Sequence, residues 1–152
     1  MNADKMPKDV KVAATPFILK EKIGDMMKYG KKAVAHFPRR ERQTADEIRS
    51  TMLVMYRLAI VIEKKYYKKS TLQELDIELD VLRHLVRLAH DKDFYDREIT
   101  QRDGKGEAVR NADGSAKVVR MQPPLSSQKY ETWSRMIDEI GRIIGGYMKY
   151  VK

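Results

Sequence analysis

The sequence predicts an all-α fold, an antiparallel up-down four-helix bundle with a β-hairpin or loop inserted between helices 3 and 4. Four long segments have apolar residues at steps of three and four, the period of an amphipathic helix. The five prolines lie at the boundaries of these segments rather than inside them. The chain has 152 residues, of which 42% are hydrophobic, so it has the length of one ordinary domain and enough apolar side chains for a core.

The first predicted helix covers residues 17–37. Pro16 fits its first turn, where a missing N–H costs nothing, and Pro38 ends it. Residues 1–15 are polar and contain several lysines, so we expect a flexible arm there and a single bundle domain over residues 16–152. No stretch approaches the roughly 20 apolar residues of a transmembrane helix, and the N-terminus lacks the apolar core of a signal peptide. We therefore expect a cytoplasmic protein.

The second and third predicted helices form a hairpin with a turn at residues 68–70. Helix 2, residues 39–67, contains no proline or glycine, and helix 3 starts at Thr71, which with Glu74 resembles a capping box. Helix 3 has two apolar stripes, which implies burial on two sides, either deep in the bundle or against another subunit. One stripe is Leu72, Leu75, Leu79, Leu82, Val86 and Ala89, and the other is Ile77, Val81, Leu85 and Leu88.

The insert, residues 93–125, differs in composition from the helices. It holds six acidic and six basic residues and lacks an apolar pattern, which argues against a second core. Residues 107–110, 111–114 and 115–121 predict strand, turn and strand. Ser126 or Ser127 can cap the last helix, in which Gly141 and Gly145 lie four residues apart and would permit close approach of another helix.

The charge indicates the class of partner. The net charge is +9, with 31 basic and 22 acidic residues, which favours nucleic acid or an acidic protein surface. Residues 39–70 alone contain nine basic and four acidic residues. The absence of cysteine excludes disulfides, thiol nucleophiles, zinc fingers and iron–sulfur clusters, and fits a reducing compartment.

Basic residues recur at helical spacing on three helices. Such ridges can contact phosphates without sequence selectivity; the alternative is an ordinary solvated helix face. Tyr66 and Tyr67 lie among lysines, where they could stack on bases or close the end of the bundle. The ridges are Arg42, Arg49, Arg57 and Lys64 in helix 2, Arg83 and Arg87 in helix 3, and Arg135, Arg142 and Lys149 in helix 4; the lysines beside the tyrosines are Lys64, Lys65, Lys68 and Lys69.

The sequence contains no recognisable catalytic constellation. His84 and His90 are six residues apart and share a face poorly, so we expect no metal site. The glycines near residue 145 lie inside a helical pattern and do not form a phosphate-binding loop. We expect no catalytic residues, no cofactor and no enzymatic activity.

Three segments resemble a known family of small four-helix-bundle proteins. They are Ala33-Val34-Ala35-His36-Phe37-Pro38-Arg39-Arg40-Glu41-Arg42, Leu82-Arg83-His84-Leu85-Val86-Arg87-Leu88-Ala89 and Glu139-Ile140-Gly141-Arg142-Ile143-Ile144-Gly145-Gly146-Tyr147. One branch of that family is encoded by intervening sequences in ribosomal RNA genes. The other is the accessory variability determinant (Avd) of diversity-generating retroelements, which the sequence resembles more closely.

The resemblance to Avd implies a pentamer of four-helix bundles without catalysis. It implies a reverse transcriptase as partner, together with the template-repeat RNA and cDNA of mutagenic reverse transcription. It also implies basic contacts at Arg39, Arg40, Arg42, Arg83, Arg87 and Arg142. The insert departs from the short connection of the family. The alternatives are a standalone nucleic-acid-binding bundle of the intervening-sequence type and an interaction bundle for an acidic protein.

Overall fold

Four long helices make up most of residues 8–152, the part of the chain that the computed structural model describes. Side chains are described from residue 12 onward. The helices are α1 (Lys8–Ala35), α2 (Arg42–Lys64), α3 (Lys69–His90), the short α4 (Lys92–Tyr95) and α5 (Ser127–Met148); a 3-10 helix covers Arg39–Glu41, and the strands are β1 (Glu98–Thr100) and β2 (Val118–Arg120). The predicted all-α class with a small hairpin between the third and last long helices is therefore correct.

The long helices contact one another in a ring, α1 with α2 and α5, and α3 with the same two helices. Lys20 Nζ lies 2.7 Å from Glu63 in α2, whereas a Cβ added at Gly30 would meet Met52. Residues that lie later in α1 thus face residues that lie earlier in α2, so the two helices are antiparallel. This arrangement is compatible with the predicted bundle.

The core lies between the four long helices and includes the indole of Trp133, which is completely buried. Its Nε1 atom donates a hydrogen bond to Met26 Sδ over 3.2 Å, and Tyr29 contacts the ring edge-on at a centroid distance of 6.4 Å. A Cβ at Gly30 would lie 2.6 Å from Trp133 Cζ2. Gly30, which sequence reasoning treated as a weak point of the helix, is instead the position that lets α1 approach the indole.

Helix starts differ from several predictions. α1 begins at Lys8 and contains Pro16, so residues 8–15 of the predicted arm are helical, while its first seven residues lie outside the described part. The predicted capping box at Thr71 is not formed. α3 begins at Lys69, and Thr71 is buried and accepts a hydrogen bond from Lys65 Nζ over 3.1 Å. The Ser126 cap is confirmed, because its side chain accepts from the backbone N–H of Lys129.

The insert is a hairpin of unusual form. β1 and β2 pair antiparallel with Ile99 opposite Val119. The predicted turn at 111–114 is correct, and β2 lies within the predicted strand at 115–121. The predicted strand at 107–110 is reduced to two isolated antiparallel bridges, Ala108 with Arg102 and Arg110 with Ala116. Beyond the strands, three positions eight residues apart form a closed ring of backbone hydrogen bonds. Gln101 N–H donates to Lys117, Lys117 N–H to Val109, and Val109 N–H to Gln101, over 2.8–2.9 Å.

Two loops protrude from this ring, and their geometry repeats. The guanidinium of Arg102 donates to the carbonyl of Gly106, and that of Arg110 donates to the carbonyl of Gly114, over 3.0 and 3.3 Å. Both glycines have positive φ, +80° and +87°, a conformation that L side chains rarely adopt. The insert therefore ends in two similar glycine-dependent loops.

The base of the insert is anchored to the helices. Tyr95 is 3% exposed, and its hydroxyl donates a hydrogen bond to Glu41 Oε2 over 3.2 Å. Met121 and Leu125 are also buried. Burial and the adjacent Glu41 carboxylate raise the pKa of Tyr95 to about 12. The phenol thus stays neutral and ties the insert to the junction between α1 and α2.

Candidate nucleic-acid interface

The arginines at the junction of α1 and α2 are close to carboxylates. Arg39 and Arg40 are exposed in the 3-10 helix, and Arg42 begins α2. Asp46 lies between two arginines: Arg42 Nε is 3.8 Å and Arg49 Nη1 is 3.0 Å from its carboxylate. Arg42 and Asp46 are exposed, so Arg42 can exchange this carboxylate for a phosphate at small cost.

The predicted ridge along α2 is divided between two faces. The step of eight residues from Arg49 to Arg57 turns the helix by about 80°. Arg49 is half-buried and lines a groove of about 550 Å³ between α1 and α2, which Lys28 and Lys31 also line. Arg57 and Lys64 are exposed and follow the other face toward the end of the helix.

Arg83 connects α3 to α5. It is half-buried, and its guanidinium lies 3.3 Å from Asp80 in α3 and 3.5 Å from Asp138 in α5. A Cβ added at Gly141 would lie 3.4 Å from Arg83 Nη2. Gly141 thus gives the arginine room, whereas Gly145 has nothing within 4 Å, so its predicted role in close helix approach is wrong.

Arg87 and Arg142 have environments different from that of Arg83. Arg87 is exposed and borders a shallow apolar depression on α3 with Val81, Leu85 and Leu88. Arg142 is exposed on α5 beside Asp138 and Glu139. Arg83 thus lies at the α3–α5 contact, whereas Arg142 is exposed on α5. Arg87 lies one turn after Arg83 on the same side of α3 and is more exposed.

A concentrated group of basic residues lies at the end of the helices where α2 meets α3. The backbone N–H groups of Lys68 and Lys69 donate to the carbonyl of Lys152 over 2.7 and 2.9 Å, which brings the end of α5 to the α2–α3 connection. We call this end the basic pole, formed by Lys64, Lys65, Lys68, Lys69, Lys149 and Lys152 together with Tyr66 and Tyr67. No acidic side chain occurs in residues 64–73 or 140–152.

The two tyrosines of the basic pole are exposed. Tyr66 is 77% and Tyr67 is 68% exposed, and their rings meet edge to face at a centroid distance of 4.9 Å. Neither belongs to the hydrophobic core or to the residues that pack against it. They do not close the end of the helices, which was one of the two interpretations open from the sequence.

Sequence reasoning found the α2–α3 half of the basic pole but not its junction with α5. Lys149 was assigned to a ridge with Arg135 and Arg142, and Lys152 was assigned to none. The missing information was a backbone contact between residues about 84 positions apart. The only signal in the sequence was the lack of acidic residues after Glu139.

Histidine–carboxylate clusters and long apolar helices are both absent from the described part of the chain. Residues 12–152, whose side chains are described, contain no group of three or more histidines and carboxylates able to hold a metal ion. His90 instead hydrogen-bonds to the carbonyl of Leu125 and stacks on Tyr130. In the same part of the chain no helix combines the length and the apolar character that crossing a bilayer requires.

These features define a small, basic, mostly helical protein that presents lysine and arginine side chains on several faces. The model of the bAvd-like family matches residues 17–109. The match covers most of α1, all of α2, α3, α4 and β1, and extends into the insert as far as Val109. The chain therefore belongs to the bAvd-like family and is an Avd-type protein. No curated protein matches the sequence.

Proposed function

We propose that this chain is a non-catalytic accessory subunit of a diversity-generating retroelement. In this proposal it binds the reverse transcriptase in the cytoplasm, together with template RNA and cDNA, and supports mutagenic reverse transcription. The observation that carries the proposal is membership of the bAvd-like family, established over residues 17–109.

The charge distribution supports contact with nucleic acid. Exposed arginines surround the start of α2, and the basic pole lies at its other end. The candidate contacts at the start of α2 remain Arg39, Arg40, Arg42 and Arg49; those elsewhere are Arg57, Lys64, Lys65, Arg83, Arg87 and Arg142. Because such contacts release counterions, RNA affinity should fall steeply with salt.

We further propose that the four long helices form an up-down four-helix bundle that assembles with copies of itself, as a pentamer. The support is the second apolar stripe of α3. Ile77 is 62% and Val81 is 42% exposed, and Leu85 and Leu88 beside them are half-buried. A second copy that covers this stripe would remove several apolar side chains from water.

Co-purification with a reverse transcriptase, the one encoded nearest to this chain, tests the accessory role. The two chains are co-expressed, treated with nuclease and weighed by light scattering. A nuclease-resistant complex with several copies of this chain per polymerase supports the proposal. If no complex forms and the chain alone retains RNA in a salt-sensitive way, the protein acts instead as a standalone nucleic-acid-binding bundle.

Arginine variants then locate the contact. Arg87→Ala removes an exposed charge that makes no ion pair among residues 12–152, so it should weaken association without loss of helicity. Arg83→Ala also breaks the brace between α3 and α5 and should lower the melting temperature. Unchanged binding by Arg87→Ala would exclude that face of α3 as the contact.

A further inference from the structure

Hydrogen bonds hold the α2–α3 connection of the basic pole in place, although its side chains are mostly exposed. Lys65 Nζ donates to Thr71 Oγ1 over 3.1 Å, and Lys68 Nζ donates to the carbonyl of Ile62. With the two backbone hydrogen bonds to Lys152, these contacts fix both ends of the connection that carries Tyr66 and Tyr67. The tyrosine rings are therefore held outward on a fixed support.

Two large rings exposed side by side are unfavourable for an isolated protein, because each gives up the free energy of burying its apolar surface. In the perpendicular pair, with 88° between planes, the edge of one ring covers one face of the other. Both residues are largely exposed, so the remaining faces are open to a flat partner. The pair is flanked on both sides in the sequence by lysines. A ligand that satisfies both features carries flat unsaturated rings and closely spaced negative charges.

We propose that the basic pole is a binding site for single-stranded nucleic acid, in which bases stack on Tyr66 and Tyr67 while lysines contact the flanking phosphates. Lys64 and Lys69 are exposed and make no ion pair among residues 12–152, so they are the principal phosphate contacts. Lys149 and Lys152 extend the positive surface. The site stacks bases without reading their hydrogen-bonding edges, so it tolerates any sequence.

The choice of single strands over duplexes follows from the stacking. Bases within a duplex already stack on one another, so their faces are closed to the tyrosines. An acidic protein segment could neutralise the lysines but would leave the ring faces unused. This inference rests on the proposed function and deepens it, because it places the unpaired template or product strand at one end of the helices.

The decisive comparison uses two oligomers of equal charge. Fluorescence anisotropy measures the affinity for a labelled single-stranded oligonucleotide and for an abasic strand of the same length. The intact protein should bind the strand with bases at least tenfold more tightly, in line with aromatic stacking at other single-strand sites. Equal affinity for the two strands, or equal affinity for the matching duplex, overturns the proposal.

Variants of the pole separate stacking from charge. Tyr66→Ala with Tyr67→Ala should lose about tenfold or more in affinity for the intact strand and nothing for the abasic one, whereas Tyr66→Phe with Tyr67→Phe should bind like the wild type. Lys64→Gln with Lys69→Gln should weaken both strands equally and reduce the salt slope by roughly 1.4. Phe94→Ala is the matched control, because this aromatic side chain is 60% exposed and lies beyond the other end of α3. It should leave the affinity for both strands unchanged.

Two further outcomes distinguish nucleic acid from an acidic protein as the ligand, and the inference about the pole from the proposed accessory role. Polyglutamate is the probe for an acidic protein. If the wild type binds polyglutamate but not the oligonucleotide, and the tyrosine variant loses the binding of polyglutamate, the site takes an acidic protein and the inference is wrong. Co-purification with the polymerase is scored separately. If wild-type protein forms that complex but shows no preference for bases, the inference about the pole fails and the accessory role stands.

Discussion

Individual residues show how closely the helices of this protein pack. Gly30 faces Trp133 and Met52, both of them almost completely buried. The Met52 side chain is flexible, whereas the indole of Trp133 is large, rigid and completely buried. The absence of a side chain at Gly30 therefore allows α1 to lie this close to α2 and α5.

Gly30→Ala should destabilise the protein. Overpacking costs about 1–3 kcal/mol, and the better helix propensity of alanine returns up to about 1 kcal/mol, so we expect a net loss of roughly 1–2 kcal/mol in the free energy of unfolding. Urea denaturation followed by circular dichroism measures it. Gly145→Ala, where the new Cβ meets nothing within 4 Å, is the control and should leave stability unchanged or slightly higher. Equal effects of the two changes would contradict the packing argument.

Tyr95 makes stability depend on pH in the alkaline range. Its pKa is about 12 in the folded protein against roughly 10 in the unfolded chain, so the folded state binds the proton more tightly. The contribution is fully present below pH 10 and is lost as pH rises toward 12. Burial also raises the pKa of Tyr147, which acts in the same direction.

The Tyr95→Phe variant isolates this contribution. Loss of the hydrogen bond to Glu41 should destabilise the variant by about 1–2 kcal/mol at pH 7. Between pH 10 and 12 its stability should fall less steeply than that of the wild type. Chemical denaturation at several pH values compares the slopes, and parallel curves for the two proteins would show that Tyr95 does not couple folding to this ionisation.

At the scale of elements, the helices and the insert differ in what holds them. The helices pack on a shared core through stripes of apolar side chains. The tip of the insert is held by backbone hydrogen bonds around Gln101, Val109 and Lys117 and by two arginine contacts within its own loops. No residue between Arg102 and Ala116 is buried, so the tip contributes little to the core.

Shortening the insert tests whether the fold of the helices is independent of the tip. Replacement of residues 102–116 by Asn-Gly joins Gln101 to Lys117, which already face each other in the hairpin, through a two-residue turn that suits antiparallel strands. We expect the shortened protein to keep its helix content and its melting temperature within a few degrees. A matched variant, Met121→Ala, removes a buried side chain at the base and should destabilise. Unfolding of the shortened protein would show that the tip is needed for the fold.

At the scale of the whole molecule, the described surface combines basic regions with an apolar stripe on α3. The basic regions lie at both ends of α2, whereas the stripe around Ile77 and Val81 runs along the side of the helices. Binding of polyanions and contact with further copies of the chain could therefore occur at the same time. That division agrees with the proposed role of an oligomeric accessory subunit.

The proposed self-association can be tested by a charge placed in the apolar stripe on α3. Val81→Glu should disrupt self-association, because it places a charge within the surface that another copy would cover. Ile60→Glu is the control, since Ile60 in α2 is 41% exposed against 42% for Val81. Light scattering should give a smaller particle for Val81→Glu only, with helicity unchanged in both. A wild-type protein that is already monomeric would contradict the proposed pentamer.

The local pattern of the sequence determined the elements. Spacing of apolar residues predicts the long helices to within a few residues at most ends, because amphipathic periodicity depends only on neighbouring positions. The start of α1 was missed by nine positions, because Pro16, which suits the first turn of a helix, lies inside this one. The strand at Glu98–Thr100 was missed because three residues carry too little pattern to be recognised.

The tertiary structure decided what depends on distant positions. The sequence supplied every arginine and lysine of the candidate interface, but packing made Arg83 a brace between helices and left Arg87, one turn later on α3, exposed. It also brought Lys152 to the start of α3 and left Tyr66 and Tyr67 exposed rather than covered. Helical periodicity arises from contacts three or four residues apart, whereas a surface is formed wherever separate elements meet, and that information is not local.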